Sequence, residues 1–142
     1  MPTIEYEELK KILPHAYPFV LIDRVLDYKE GESLVAVKNI TSNEWPNAHQ
    51  QEHYPETLLI EAAAQAALVL YHVTKVKDSP HKPRYAIGKV LVEFFRPVNI
   101  GSSVQFSAKM QKVVSFGGLA NCVISGQGSA VGELNLFYSV RT

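Results

Sequence analysis

Cysteine is almost absent from this chain, and excess charge and long uninterrupted apolar runs are missing. Its lone cysteine, Cys122, cannot close an internal disulfide, and in the strand-like residues 120–124 it reads as a small buried hydrophobe rather than a reactive thiol. Fourteen basic residues balance fourteen acidic ones, so no global field attracts nucleic acid or a membrane surface. The start carries Glu5, Glu7 and Glu8, where a secretory signal would be basic and then apolar. The longest apolar stretch, residues 58–71, is interrupted by Glu61 and Gln65 and is too short to cross a bilayer. Repeats, low-complexity tracts and linkers are absent as well. What remains is 142 residues, 46% of them hydrophobic, which suits one domain over residues 1–142 with a substantial core and a soluble, cytoplasmic setting.

The patterning of those residues predicts an α+β fold. A short charged helix over residues 6–11 stops at Leu13-Pro14, because proline discourages continuation. An extended stretch over residues 19–28, the turn Glu30-Gly31-Glu32 and the alternating residues 33–40 read as a hairpin. A polar loop over residues 41–55 precedes a long apolar helix over residues 56–75, and a connector with two prolines follows it. Four β-type runs, 84–95, 103–115, 119–127 and 133–141, complete the chain. Their turns are supplied by residues 96–101, by Gly117-Gly118 and by the Gly126-to-Gly132 stretch. The central helix is apolar on nearly every side and cannot face water. An antiparallel sheet must therefore curl around it.

One carboxylate breaks the apolar pattern of that helix. An ionised Glu61 is costly to bury unless it is paired, hydrogen-bonded or used for chemistry. Gln65 lies four residues on and shares its face, which Leu68 and His72 continue. Burial should raise the Glu61 pKa and help it act as an acid near neutral pH. Gln65 fits the role of a hydrogen-bonding partner that orients a neighbour. His72 and His81 read as solvent-facing or near the helix end, where the dipole favours a cationic ring.

Several motifs now converge. Leu13-Pro14-His15-Ala16-Tyr17-Pro18-Phe19-Val20-Leu21-Ile22-Asp23-Arg24-Val25 closely resembles the opening signature of the (3R)-hydroxyacyl-acyl-carrier-protein dehydratases, a hotdog-fold family of fatty-acid synthesis. Residues 38–44 resemble the strand entering that family's active-site loop, Leu59-Ile60-Glu61-Ala62-Ala63-Ala64-Gln65-Ala66 its central helix, and Phe95-Arg96-Pro97-Val98 to Gly101 its later strand and turn. The resemblance implies a hotdog fold with one central helix. It also implies a thioester dehydratase that needs no metal or other cofactor, takes its substrate from acyl carrier protein, and works as a homodimer whose site is shared between subunits. A trimer of dimers is compatible with it.

Dehydration of a 3-hydroxyacyl thioester needs a base for the C2 proton, an acid for the departing hydroxyl and a donor for the thioester oxygen. By resemblance the base is a loop histidine, the acid is Glu61 with Gln65 orienting, and the donor is the helix start at Pro55 and Glu56. Two histidines compete for the first role. His53-Tyr54-Pro55 keeps the family's His-aromatic-Pro signature but lies only eight positions before Glu61, whereas His49 fits the family's spacing better without those neighbours. Both stand as candidates.

The loop is shorter than the family's, and Glu56 stands where the family has glycine. That departure motivates a second reading, a non-catalytic acyl-binding or partner subunit. A third is a hotdog thioesterase that uses Glu61 to activate water. His15 reads as a packing and hydrogen-bonding residue at the start of the first strand. Lys82, Arg84, Lys89 and Arg96 are candidates for a basic rim facing an acidic carrier protein.

Overall fold

The computed structural model describes residues 2–15, 19–41, 53–76, 83–114 and 116–141. Helix α1 (Tyr6–Ile12) opens the chain with Glu7 and Glu8 in its first turn and Lys10 and Lys11 in its last, the order that complements the helix dipole. It buries Leu9 and Ile12 and ends before Pro14. Strands β1 (Arg24–Lys29) and β2 (Ser33–Asn39) form a hairpin. Helix α2 (Glu56–Tyr71) follows and winds on as a π-helical turn, His72–Val76. Strands β3 (Arg84–Phe94), β4 (Ser103–Val114), β5 (Gly117–Gly126) and β6 (Ser129–Arg141) complete a six-stranded antiparallel sheet of order β1-β2-β4-β5-β6-β3.

Period-two alternation gives the sheet one apolar face. Leu34 and Ala36 of β2, Val104, Phe106 and Ala108 of β4, Ala120, Cys122 and Ile124 of β5, and Leu134 and Leu136 of β6 are all buried. Helix α2 lies in the hollow of that face and is buried continuously from Ala62 to Tyr71. Five alanines in this stretch keep the helix thin, so the sheet can close around it as the hotdog arrangement requires. The span Glu56–Val76 is long and apolar enough to cross a membrane, but 67% of that window is buried inside the protein, which makes it a core helix.

Three element boundaries differ from the sequence reading. β1 begins at Arg24 and not at residue 19, because the Leu21 N–H and the Phe19 carbonyl are both engaged by the Gln65 side chain instead of a neighbouring strand. Gly117 and Gly118 do not form a turn; they begin β5. There a Cβ on Gly118 would come within 2.4 Å of the Lys112 carbonyl and 2.7 Å of the Tyr138 hydroxyl, so glycine is required for close approach. The last hairpin tightens to a two-residue turn, Gln127 and Gly128, both at positive φ (53° and 80°), and β6 therefore starts four residues earlier than expected. The Cys122 expectation holds: it is fully buried, and burial pushes its thiol pKa up to about 12.

Candidate active site

The site is assembled where α2 meets His15 and residues 19–21. Gln65 is completely buried and its amide is occupied at both ends: Oε1 accepts the Leu21 N–H at 2.8 Å, and Nε2 donates to the Phe19 carbonyl at 2.7 Å. One side chain thus substitutes for two ladder bonds and fixes the segment that carries the opening motif over the helix. Glu61 lies one turn earlier on the same face, and Gln65 Nε2 approaches its Oε1 at 3.5 Å. His15, brought across by the clamped segment, places Nε2 2.7 Å from that same oxygen.

This geometry corrects one expectation. Glu61 is only half covered, and the hydrogen bond from His15 outweighs the cost of burial, so its carboxyl is held below its ordinary value instead of being raised. His15 does hydrogen-bond, as expected, and its partner is Glu61. The signal for this was the strongest motif in the chain, yet nothing local links positions 46 residues apart. His72 lies at the end of α2, as expected, but it is half-buried, and burial lowers its pKa despite an opposing pull from Glu8, so the cationic ring is not favoured.

The start of α2 forms the second wall. Pro55 is the capping residue, and its carbonyl accepts the Leu58 and Leu59 N–H groups at 3.1 and 3.3 Å. No side chain caps this end. Glu56 is exposed in the first turn, where an acidic side chain complements the helix dipole.

Immediately before this helix, His53 pairs with Asn99 as an isolated antiparallel bridge, and the neighbouring Tyr54 N–H donates to the Val98 carbonyl at 2.9 Å. The exposed His53 ring sets Nδ1 3.0 Å from Asn99 Oδ1; with the amide oxygen as acceptor, Nδ1 is the donor of this contact. Nothing in the sequence reading singled out Asn99. No hydrogen bond joins His53 to Glu61 within the chain, and His49 lies outside the described residues. Arg96 is engaged as a hairpin clamp, donating from Nη2 to the Gly126 and Ser129 carbonyls. Arg84 and Lys89 are exposed on β3, while Lys82 and His81 lie outside the described residues.

Glu61 on α2 and His15 from the segment after α1 thus bring a carboxylate and an imidazole together on the helix that Pro55 opens. Comparison with known proteins identifies its family. The model of the FabA-like domain matches residues 13–136, which include both His15 and Glu61. The chain belongs to the FabA-like family. Among curated relatives, a FabZ 3-hydroxyacyl-[acyl-carrier-protein] dehydratase of Shewanella denitrificans is 41% identical over 117 residues, covering 78% of this chain and 74% of its own. A FabZ of Clostridium botulinum (strain Loch Maree) is 32% identical over 140 residues, with 96% of each chain covered. Solved structures agree on the fold. The dehydratase heterocomplex ApeI:P from Xenorhabdus doucetiae matches with a TM-score of 0.79 at 18% identity, covering 94% of this FabA-like chain and 91% of that one. The E. coli PaaI protein from the phenylacetic acid degradation operon matches with a TM-score of 0.64 at 17% identity, covering 82% and 81%.

Proposed function

We propose that this FabA-like protein dehydrates (3R)-hydroxyacyl thioesters on acyl carrier protein to trans-2-enoyl thioesters in fatty-acid or related acyl-chain synthesis. The observation that carries this reading is Glu61, the one carboxylate within the apolar stretch 58–70 of the core helix, held by an imidazole in a chain similar to FabZ dehydratases along most of its length.

In the reaction, a loop histidine removes the C2 proton, and Glu61 gives a proton to the C3 hydroxyl as the C3–O bond breaks and water leaves. The amides opening α2 stabilise the charge that develops on the thioester oxygen. His53, with Nδ1 occupied by Asn99, offers Nε2 as the base; His49 is the other candidate. Glu61 rests as a carboxylate in the open site. The acyl chain covers it on binding, which raises its pKa and loads the proton it delivers.

The base comes from a second copy of the chain. β3 is an edge strand of eleven residues, and Ile87, Leu91 and Val92 are exposed along it, with Phe95 beyond its end and Phe137 on the adjacent strand. Such an edge needs covering, and pairing two β3 edges gives a homodimer, which a trimer of dimers would extend. His53 bridges to Asn99 just beyond β3, so its loop is anchored next to the edge that the partner covers. Arg84 and Lys89 on the same strand offer positive charge to an acidic carrier protein.

The test is incubation of the purified protein with 3-hydroxyacyl and acyl carrier-protein substrates. Enoyl thioester formation supports the proposal. Free acid would mean a thioesterase, and binding without product a non-catalytic subunit.

A further inference from the structure

Neither the loop histidines nor the helix start accounts for His15. Its Nε2 is 2.7 Å from Glu61 Oε1, while its Nδ1 is buried without a partner among the described residues. An ionised carboxylate can only accept, so Nε2 carries the proton of this contact and donates it to Oε1. Gln65 Nε2 approaches the same oxygen. Both contacts fall on Oε1, and Oε2 has none among the described residues. Of the two side chains in the pair, Glu61 is the more open, at 44% exposure against 23% for His15, so the carboxylate is the more accessible partner.

We propose that His15 is a positioning residue for the proton transfer: with Gln65 it holds Glu61 Oε1, leaving Oε2 as the oxygen that passes its proton to the departing C3 hydroxyl. This rests on the dehydratase reading. In the step, the Oε2–H bond breaks as the leaving oxygen gains a proton and the C3–O bond opens. The negative charge left on Glu61 is met by the Nε2–H already aimed at Oε1, and solvent then resets the carboxylate and the loop base. The groups facing Glu61 are His15, from the segment after α1, and Gln65, on its own helix; the first is titratable and the second is not. His15 favours the ionised carboxylate through a hydrogen bond to its charged form, against the opposing effect of burial.

The experiment compares His15→Ala and His15→Gln in the full chain, since a glutamine amide nitrogen can take the place of Nε2 as donor. Carbon-13 NMR follows the Glu61 carboxyl titration without substrate, and steady-state kinetics follow 3-hydroxyacyl carrier-protein turnover. His15→Ala is expected to raise the Glu61 titration midpoint and to lower kcat about tenfold or more with KM within about twofold, a loss of alignment rather than of binding. His15→Gln should recover most of both. A Glu61 titration unmoved in folded His15→Ala overturns the proposal, as does a glutamine variant no better than alanine. Should the alanine variant not fold, nitrogen-15 shifts of the unmodified protein decide: a protonated Nε2 supports the assignment, and a protonated Nδ1 overturns it. If the unmodified protein fails to dehydrate its substrate, the dehydratase reading falls, while the titration still decides whether His15 governs Glu61.

Discussion

The helix half of the site and its loop half differ in what holds them. Glu61 and Gln65 project from a helix buried on nearly every side, and four hydrogen bonds join them to each other, to His15 and to residues 19–21. His53 sits on exposed backbone and is held by one bridge to residue 99 and a side-chain contact with Asn99. The helix half is complete within one chain because the core that buries α2 also fixes its polar face. The loop half is attached next to an apolar edge strand, where assembly rather than folding would finish it. A carboxylate that must be set precisely gains from the rigid element, and a base that must meet it from outside gains from the accessible one.

That contrast can be broken at either end. Glu61→Gln should reduce enoyl formation by about 10²–10⁴-fold, the range for losing a general acid. Turnover left unchanged would remove the carboxylate from the chemistry and with it the meaning of the helix half.

Gln65→Leu should mainly affect stability. It strands the Leu21 N–H and the Phe19 carbonyl, a cost of about 2–4 kcal/mol if each lost partner counts about 1–2. A urea unfolding curve measures it, and a loss under about 0.5 kcal/mol would mean that the segment finds other partners.

Asn99→Ala sharpens the loop half. It releases the His53 tautomer and should lower kcat about tenfold, as removal of an orienting partner does. Unchanged turnover would leave His49 as the candidate base.

The smallest effect is in pH. Because the folded Glu61 pKa lies below its ordinary value of 4.5, its contribution to stability is present above that value and is lost as pH falls through the lower, folded one. Tm followed from about pH 7 to about pH 3 should drop less steeply for Glu61→Gln than for the unmodified chain; identical slopes would mean that the His15 contact does not couple to folding.

Particular residues show how far the sequence was legible. Alternation in residues 33–40 set Leu34 and Ala36 apart from Val35 and Val37, although which set faces inward came only from the fold, and the polar interruptions at Glu61 and Gln65 stood out because charge and amide are expensive on an apolar helix. The late start of β1 was hidden: Phe19-Val20-Leu21-Ile22 has strand composition, and only the fold brings Gln65 to its backbone. His15 was read within its motif, but its partner lies 46 residues away and is reached only through the fold. The edge position of β3 was equally hidden, since a β-type run reads the same at the centre of a sheet as at its rim. Long-range geometry, rather than residue chemistry, supplied what local pattern lacked.

The solitary, fully covered Cys122 gives this protein a built-in clock. Its sulfur lies in the central strand pair β4–β5, opposite Ala108, and reacts only as a thiolate. A thiol reagent under native conditions therefore does not sample the surface; it counts the openings of the sheet itself. Labelling rates with and without an acyl ligand would time how tightly the sheet grips α2, with no engineered probe.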